Sequence, residues 1–196
     1  MKHKKQLGFV LDLNKCIGCQ ACEIACKQEN GVAAGIRWRR VHTVNREHYP
    51  AAPIYHFSLA CSHCAEPECR RVCPVGAYTK RPGDGIVRHD RDKCIGCRYC
   101  TWACPYGAPQ YNPVARKAEK CELCHHLVDV GKEPACVRAC PTGALQLADI
   151  SDAALFRSAE SVPGFPASTS RPSVRFLTLR RAGDFFREGR ARQSGG

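Results

Sequence analysis

The sequence predicts an α+β fold assembled from a duplicated unit of short strands and short helices. Three observations predict it. Sixteen cysteines fall into four groups of four. Residues 12–19 (DLNKCIGC) match residues 90–97 (DRDKCIGC), and three of the groups end in the pattern Cys-Pro-x-Gly-Ala. Short strand-like runs flank the groups. A self-match of this kind indicates internal repetition, with each unit formed by a strand, a loop, a short helix and a return strand.

The order of elements follows from local composition. Apolar and aromatic runs predict strands over residues 9–13, 54–59, 86–89, 144–147 and 174–179. Short helices are predicted over residues 22–26, 66–73, 99–104 and 134–140, and proline ends several of them because it cannot continue a helix. Residues 27–53 form an insertion, and beyond residue 149 the composition shifts to Ser, Pro, Gly and Arg.

The spacing inside each cysteine group is typical of iron–sulfur ligands. A cubane needs four soft, anionic ligands, and thiolate is the protein group that suits iron–sulfide cores. Gly18 and Gly96 let the backbone approach a cluster closely, since a side chain there would hold it away. The sixteen cysteines therefore predict four 4Fe-4S clusters. The four groups are Cys16, Cys19, Cys22 and Cys26; Cys61, Cys64, Cys69 and Cys73; Cys94, Cys97, Cys100 and Cys104; Cys121, Cys124, Cys136 and Cys140.

Charge and cysteine content exclude two other classes of protein. The formal net charge of +12 falls to roughly +4 once sixteen thiolates and four oxidised cluster cores are counted. No recognition-helix or RNA-binding signature accompanies the charge, so we expect no nucleic-acid partner. A disulfide-rich secreted domain is also disfavoured, because the cysteines are bunched in tight runs and no secretory signal precedes them.

Zinc is the chemical rival, because Cys-x2-Cys pairs also build zinc ribbons. The fourth group has the spacing of such a site, whereas the compact first and third groups do not resemble one. No nucleophile–base pair, phosphate loop or carboxylate pair stands out, so we expect no catalytic residue.

Other side chains in and around the motifs have simpler interpretations. His63, His125 and His126 lie inside motifs, where they could tune a cluster or contact a partner. Tyr99, Trp102 and Tyr106 are interpreted as apolar shielding of a cluster. Arg37, Arg39 and Arg40 are interpreted as a solvated or partner-facing basic patch.

The order of the motifs resembles the iron–sulfur electron-transfer subunits of the dimethyl sulfoxide reductase family of molybdopterin oxidoreductases. The stretched second group, the long insertion in the fourth and the run from Cys94 through residues 103–112 (ACPYGAPQYN) carry the resemblance, which covers residues 7–150. It implies two ferredoxin-like double-cluster units. Residues 1–52 and 111–149 would form the first, residues 53–110 the second, and residues 150–196 an irregular tail that docks a partner or is disordered.

The resemblance also implies which cysteines share a cluster, since the outer motifs pair with each other and the inner motifs pair with each other. Some relatives carry a three-iron cluster where Cys100 is replaced, so cysteine at that position favours four irons. Lys27 stands where proline follows the other three groups. The implied ligand sets are Cys16, Cys19, Cys22 and Cys140; Cys121, Cys124, Cys136 and Cys26; Cys61, Cys64, Cys69 and Cys104; Cys94, Cys97, Cys100 and Cys73.

As a function, the resemblance implies an electron-transfer subunit of anaerobic respiration that is not an enzyme by itself. It would link an integral membrane anchor subunit that interacts with quinol to a molybdopterin catalytic subunit, and the direction of electron flow stays open. No run approaches the length of a membrane span, so membrane association would come through partners. The side stays open between export with the catalytic subunit and the cytoplasm. Two alternatives remain: a soluble polyferredoxin serving a hydrogenase or formate dehydrogenase, and a zinc-binding interaction module.

Overall fold

Short strands and short helices alternate along the chain, as the duplicated motifs predict. The computed structural model describes residues 5–46, 51, 53–152, 158–165 and 168–179. The helices in this part of the chain are α1 (Ala21–Asn30), α2 (Glu68–Arg71), α3 (Tyr99–Ala103), α4 (His125–Val128) and α5 (Ala135–Arg138). The strands are β1 (Leu7–Asp12), β2 (Arg40–Val44), β3 (Tyr55–Leu59), β4 (Tyr78–Lys80), β5 (Val87–His89), β6 (Gln110–Asn112), β7 (Lys117–Glu119), β8 (Leu145–Asp149) and β9 (Val174–Leu177).

The predicted α+β class is confirmed. The strands form one three-stranded sheet in the order β8-β1-β9 and three two-stranded sheets, β2-β3, β4-β5 and β6-β7. Strands and helices predicted around the cysteine groups are present with slightly different ends. Four further strands (β2, β4, β6 and β7) and helix α4 were not predicted, because each is short and carries no strong hydrophobic period.

Strand β1 lies at the centre of the larger sheet, and all six of its residues are buried. It pairs antiparallel with β8, where Leu11 faces Leu145, and parallel with β9, where Leu11 faces Phe176. A strand that is covered on both faces needs a continuous apolar run rather than an alternating one. The sequence Leu-Gly-Phe-Val-Leu meets that requirement.

The expectation that the tail from residue 150 onward is disordered is wrong for residues 158–165 and 168–179, whereas docking of a partner by this tail stays a prediction. Strand β9 completes the sheet of β1, and the ring of Phe176 lies 6.0 Å from that of Phe57 and 5.2 Å from that of Phe165. All three rings are buried. The tail has few apolar residues, but the chain's own sheet supplies the surface against which they pack. Residues 180–196 lie outside the described part of the chain.

Helix α1 is longer than predicted because Lys27 replaces the proline of the other groups. The helix continues past Cys26 to Asn30 and ends at Gly31, which has a left-handed backbone (φ 56°). The Lys27 Nζ atom then donates hydrogen bonds to the carbonyls of Ala33 and Ile36, both at 2.8 Å. The substitution therefore lengthens one helix and ties down the loop that follows it.

Helix contacts bring the cysteine groups together in pairs. Helix α1 of the first group packs against α5 of the fourth, and α2 of the second packs against α3 of the third. A large apolar cluster surrounds β1 and β3, and a smaller one includes Cys69, Tyr78 and Cys100. None of the helices in the described residues is long and apolar enough to span a membrane.

Candidate metal-cluster site

None of the sixteen cysteines forms a disulfide, and the fold gathers them into four sets. Three of the sets each line a cavity. Each cavity contains the four cysteines that the family resemblance assigns to one cluster. We name them the first set (Cys16, Cys19, Cys22 and Cys140), the third set (Cys61, Cys64, Cys69 and Cys104) and the fourth set (Cys73, Cys94, Cys97 and Cys100).

The second set (Cys26, Cys121, Cys124 and Cys136) draws one cysteine from α1, one from α5 and two from the loop that leads into α4, and all four thiols are buried. The Asn30 amide group lies at its edge. Its Nδ2 atom is 3.6 Å from the Cys124 sulfur and 3.9 Å from the Cys26 sulfur. The continuation of α1 past Cys26 therefore places a hydrogen-bond donor beside two of these sulfurs.

The cysteine loops share one backbone feature that the sequence shows only in part. In every motif, the residue two positions after the first cysteine has a left-handed backbone. These residues are Gly18, His63, Gly96 and Leu123, with φ values of 70°, 42°, 73° and 58°. Successive N–H groups in such a curled backbone point into the concave side of the loop, where they favour an anion. His63 and Leu123 adopt this conformation although residues other than glycine usually avoid it.

Gly96 also has no room for a side chain. A Cβ atom built there would lie 2.3 Å from the backbone oxygen of Arg116, in the turn between β6 and β7. The loop of the fourth set therefore packs directly against the backbone of that turn, and only glycine permits the approach.

The Cys-Pro-x-Gly-Ala segments turn a backbone donor back toward the cysteine sulfur. Their glycines, Gly76, Gly107 and Gly143, are left-handed with open space around them. The Ala77 N–H donates to the Cys73 sulfur at 3.3 Å. Backbone N–H groups of the equivalent segments likewise donate to the sulfurs of Cys104 and Cys140. Such donors stabilise a thiolate, so the repeated segment is suited to a charged sulfur ligand.

Burial acts in the opposite direction on other thiols. It raises the pKa of Cys26 to about 12 and that of Cys64 to about 11. Without a metal centre these groups are therefore protonated at neutral pH, and loading iron requires their protons to leave.

Arg39 is fully enclosed, so its interpretation as part of a solvated or partner-facing basic patch is wrong. Arg37 is exposed, whereas Arg39 is only 2% exposed. Arg39 and its neighbour Trp38 are both buried, and the guanidinium of Arg39 lies 4.2 Å from the centre of the Phe9 ring. Burial lowers the pKa of Arg39, but the nearby thiols of the first and second sets raise it, and it lies above its usual value.

Trp102 and Tyr99 are exposed, so the interpretation of them as shielding is wrong for these two residues. Trp102 is 76% exposed and Tyr99 is 51% exposed, with their ring centres 6.0 Å apart. Tyr106 differs, because its ring stacks on that of Phe165 at 4.6 Å beside the cavity of the third set. Helix α3 is only five residues long and presents its outer face, with both side chains, to solvent.

The histidines of the motifs differ in environment. The His63 Nδ1 atom accepts a hydrogen bond from the backbone N–H of Val87 at 3.0 Å, and burial lowers the pKa of His63 well below its usual value. His126 lies at the surface, 2.8 Å from a Glu29 carboxylate oxygen. Both histidines therefore have structural partners.

Sequence reasoning missed several residues that face the thiols, among them Asn30, Ser58 and a buried lysine. Lys120 is 1% exposed and lines the cavity of the third set. Its only signal in the sequence is that it stands immediately before a cysteine, Cys121. Lys15 and Lys93 stand in the same position at the surface, so this signal does not predict burial.

The thiols and backbone N–H groups of each set fit a four-iron cluster. Each set offers four thiols, and the loops add backbone N–H groups aimed at sulfur. Among the described residues, no three His, Cys, Asp or Glu side chains are grouped as a single metal ion needs. Bound in these sets, clusters would supply one-electron redox chemistry.

Comparison with known proteins agrees with this chemistry. Residues 52–150 match the family model described as a 4Fe-4S dicluster domain, and residues 13–31 match a 4Fe-4S binding domain. A component of the anaerobic dimethyl sulfoxide reductase of Escherichia coli is 42% identical over 155 residues, which cover 75% of each of the two proteins. The chain therefore belongs to the family of dimethyl sulfoxide reductase iron–sulfur subunits.

Other relatives come from different oxidoreductases and different organisms. A component of the sulfite dehydrogenase of Allochromatium vinosum is 40% identical, with 75% of this chain and 70% of the relative covered. A putative dimethyl sulfoxide reductase iron–sulfur subunit of Halobacterium salinarum is 42% identical, with 74% and 66% covered. As a member of this family, the chain is an electron-transfer subunit of an oxidoreductase and is not catalytic by itself. The family membership favours iron–sulfur clusters over the zinc alternative.

Proposed function

We propose that the chain carries four 4Fe-4S clusters, one in each of the four cysteine sets, and passes single electrons along them. Four separate sets of four thiols are the observation that carries the proposal. The 4Fe-4S domains of the family supply the identity of the metal centre. On this assignment every cysteine of the chain is an iron ligand.

The order of the sets supports a linear path. Cys22 of the first set and Cys26 of the second lie on one helix, α1. The pKa of Cys121, in the second set, is raised by burial and also by nearby thiols, which include Cys61 of the third set. These two sets are therefore close to each other. Cys100 of the fourth set lies on α3, and Cys104 of the third set follows directly after that helix. The first and fourth sets are therefore the two ends of the proposed path.

Exposed apolar side chains lie beside both ends. Ile17 and Ile24 are exposed near the first set, and Ile95, Tyr99 and Trp102 are exposed near the fourth. Aromatic and aliphatic side chains of this kind are typical anchors of protein interfaces. We assign the two patches to the two electron partners, a molybdopterin catalytic subunit and an integral membrane anchor subunit. Association with a membrane would then come through the anchor, on a side that the partners decide.

The same assignment divides the chain into two double-cluster units. Residues 1–52 and 111–149 would hold the first and second clusters, and residues 53–110 the third and fourth. The contacts between α1 and α5 and between α2 and α3 support this division.

Iron and acid-labile sulfide analysis of anaerobically purified protein tests the proposal. Four cubanes predict about sixteen irons per chain, together with electron paramagnetic resonance signals of reduced cubanes. Zinc in place of iron, or well under sixteen irons, would contradict it. Isolation of the native complex then identifies the large subunit. A molybdopterin protein supports the proposed partners, whereas a hydrogenase would favour the soluble polyferredoxin.

A further inference from the structure

Arg39 is enclosed at the boundary between the first and second sets. Its Nη1 atom donates to the Ser58 carbonyl at 3.1 Å and to the Ser58 hydroxyl at 3.0 Å. That hydroxyl lies 3.1 Å from the sulfur of Cys22, in the first set. The thiols of Cys136 and Cys121, in the second set, lie close enough to raise the pKa of the guanidinium against the effect of burial. Its Nη2 atom is buried and has no hydrogen-bond partner in the described part of the chain.

Lys120 is enclosed at the boundary between the second and third sets. Its Nζ atom donates to the carbonyl of Val87 and, at 2.9 Å, to the carbonyl of Cys121, which belongs to the second set. The side chain also forms part of the wall of the cavity of the third set. Arg39 and Lys120 are the only lysine or arginine residues that are buried within the described ranges.

Two other lysines show that this burial is specific. Lys15 and Lys93 also stand immediately before a cysteine of a set, at Cys16 and Cys94. Their side chains are 53% and 62% exposed, and each lies near an aspartate carboxylate. Water and nearby carboxylates screen those two charges, whereas Lys120 is shielded from water and forms no salt bridge with a carboxylate among the described side chains.

Neither buried cation forms a salt bridge with a carboxylate among the described side chains. An unpaired buried charge is strongly unfavourable, so a compensating negative charge is needed nearby. An oxidised cubane with four thiolates carries a charge of about −2, which would supply that compensation. The placement of the two cations is therefore explained by the clusters they adjoin.

We infer that Arg39 and Lys120 set the reduction potentials of the clusters on either side of them: the first and second for Arg39, the second and third for Lys120. This inference rests on the proposed function. Reduction adds one negative charge to a cluster, so a nearby buried cation stabilises the reduced form more than the oxidised form. Removing the cation lowers the potential. The fourth set has no buried cation beside it among the described residues and keeps its potential in either variant.

Redox titration of the assembled complex, followed by electron paramagnetic resonance, tests the inference with Arg39→Met and Lys120→Met. We expect at least one adjoining cluster to become about tenfold harder to reduce in each variant, which is about 59 mV for a one-electron couple. Lys15→Met and Lys93→Met are the matched controls, and their exposed charges should change reduction less than about threefold. Arg39→Lys and Lys120→Arg restore a cation and should restore the potentials.

Iron content separates failure of this inference from failure of the proposed function. An unmodified complex without about sixteen irons per chain contradicts the proposed function. Variants with full iron and unchanged potentials overturn the inference alone. If the methionine variants fail to load iron, the unmodified complex is prepared with arginine or lysine that carries 15N in its side chain only. Hyperfine coupling of the label to a reduced cluster then supports the inference, and its absence for both labels overturns it.

Discussion

Gly96→Ala should remove the fourth cluster, and Gly131→Ala should not. The two glycines have almost the same left-handed backbone, with φ values of 73° and 74°. Each alanine therefore costs about 1–2 kcal/mol for the conformation alone. The surroundings differ, since the new Cβ at position 96 would lie 2.3 Å from the Arg116 backbone oxygen, whereas nothing lies within 4 Å at position 131.

The size of the required movement sets the expected result. Ordinary contact with a Cβ begins at 3.4 Å, so the loop at position 96 or the turn at Arg116 must shift by 1.1 Å. Binding sites tolerate displacements of about 0.5 Å before function suffers. Iron analysis should give about twelve irons per chain for Gly96→Ala and about sixteen for Gly131→Ala, with loss of one resonance signal in the former. Equal iron in the two variants would refute the steric reasoning.

Three further substitutions test other parts of the fold. Phe176→Ala should lower the free energy of unfolding by about 3–5 kcal/mol, because it leaves a cavity in the core; guanidinium unfolding followed at 400 nm measures this. Trp102→Ala should leave iron content unchanged and weaken association with a partner subunit, measured by co-purification. Lys27→Pro should end helix α1 early at a cost of about 3 kcal/mol and lower the iron content of the second set, because it displaces Asn30.

Each of these has a matched control. Thr178→Ala changes an exposed residue next to β9 and should leave stability unchanged. Val130→Ala removes an exposed apolar side chain far from the fourth set in sequence and should leave assembly intact. Lys27→Ala removes the same side chain without breaking the helix and should keep its iron. If a control behaved like its partner variant, the physical cause given for that variant would be wrong.

The elements around the cysteines could be predicted because their signals are local. Fixed spacing, glycine within the loop and proline after the last cysteine decide the backbone over a few residues. The same reasoning missed the left-handed backbone at His63 and Leu123. Those residues have no glycine to mark them, and the surrounding fold holds them in a conformation that they would not choose alone.

Burial of charge could not be predicted from the sequence. Arg39 stands in a run of three arginines around Trp38, which favours an exposed patch, and only the pairing of the neighbouring strand β2 with β3 turns it inward. Strand β9 was missed as part of the core for a related reason. Its few apolar residues become sufficient only when β1 is already in place, and that contact joins opposite ends of the chain.

The pairing of β1 has a consequence for how the protein is made. This strand is synthesised long before its two partners, Leu145–Asp149 and Val174–Leu177, which are the last two strands of the described residues. The small sheets β4-β5 and β6-β7 close within a few residues and need no such delay. The sheets β4-β5 and β6-β7 can therefore form during synthesis before the sheet of β1 is complete. A nascent polypeptide stopped before residue 174 would possess every cysteine and still have one edge of its central strand uncovered.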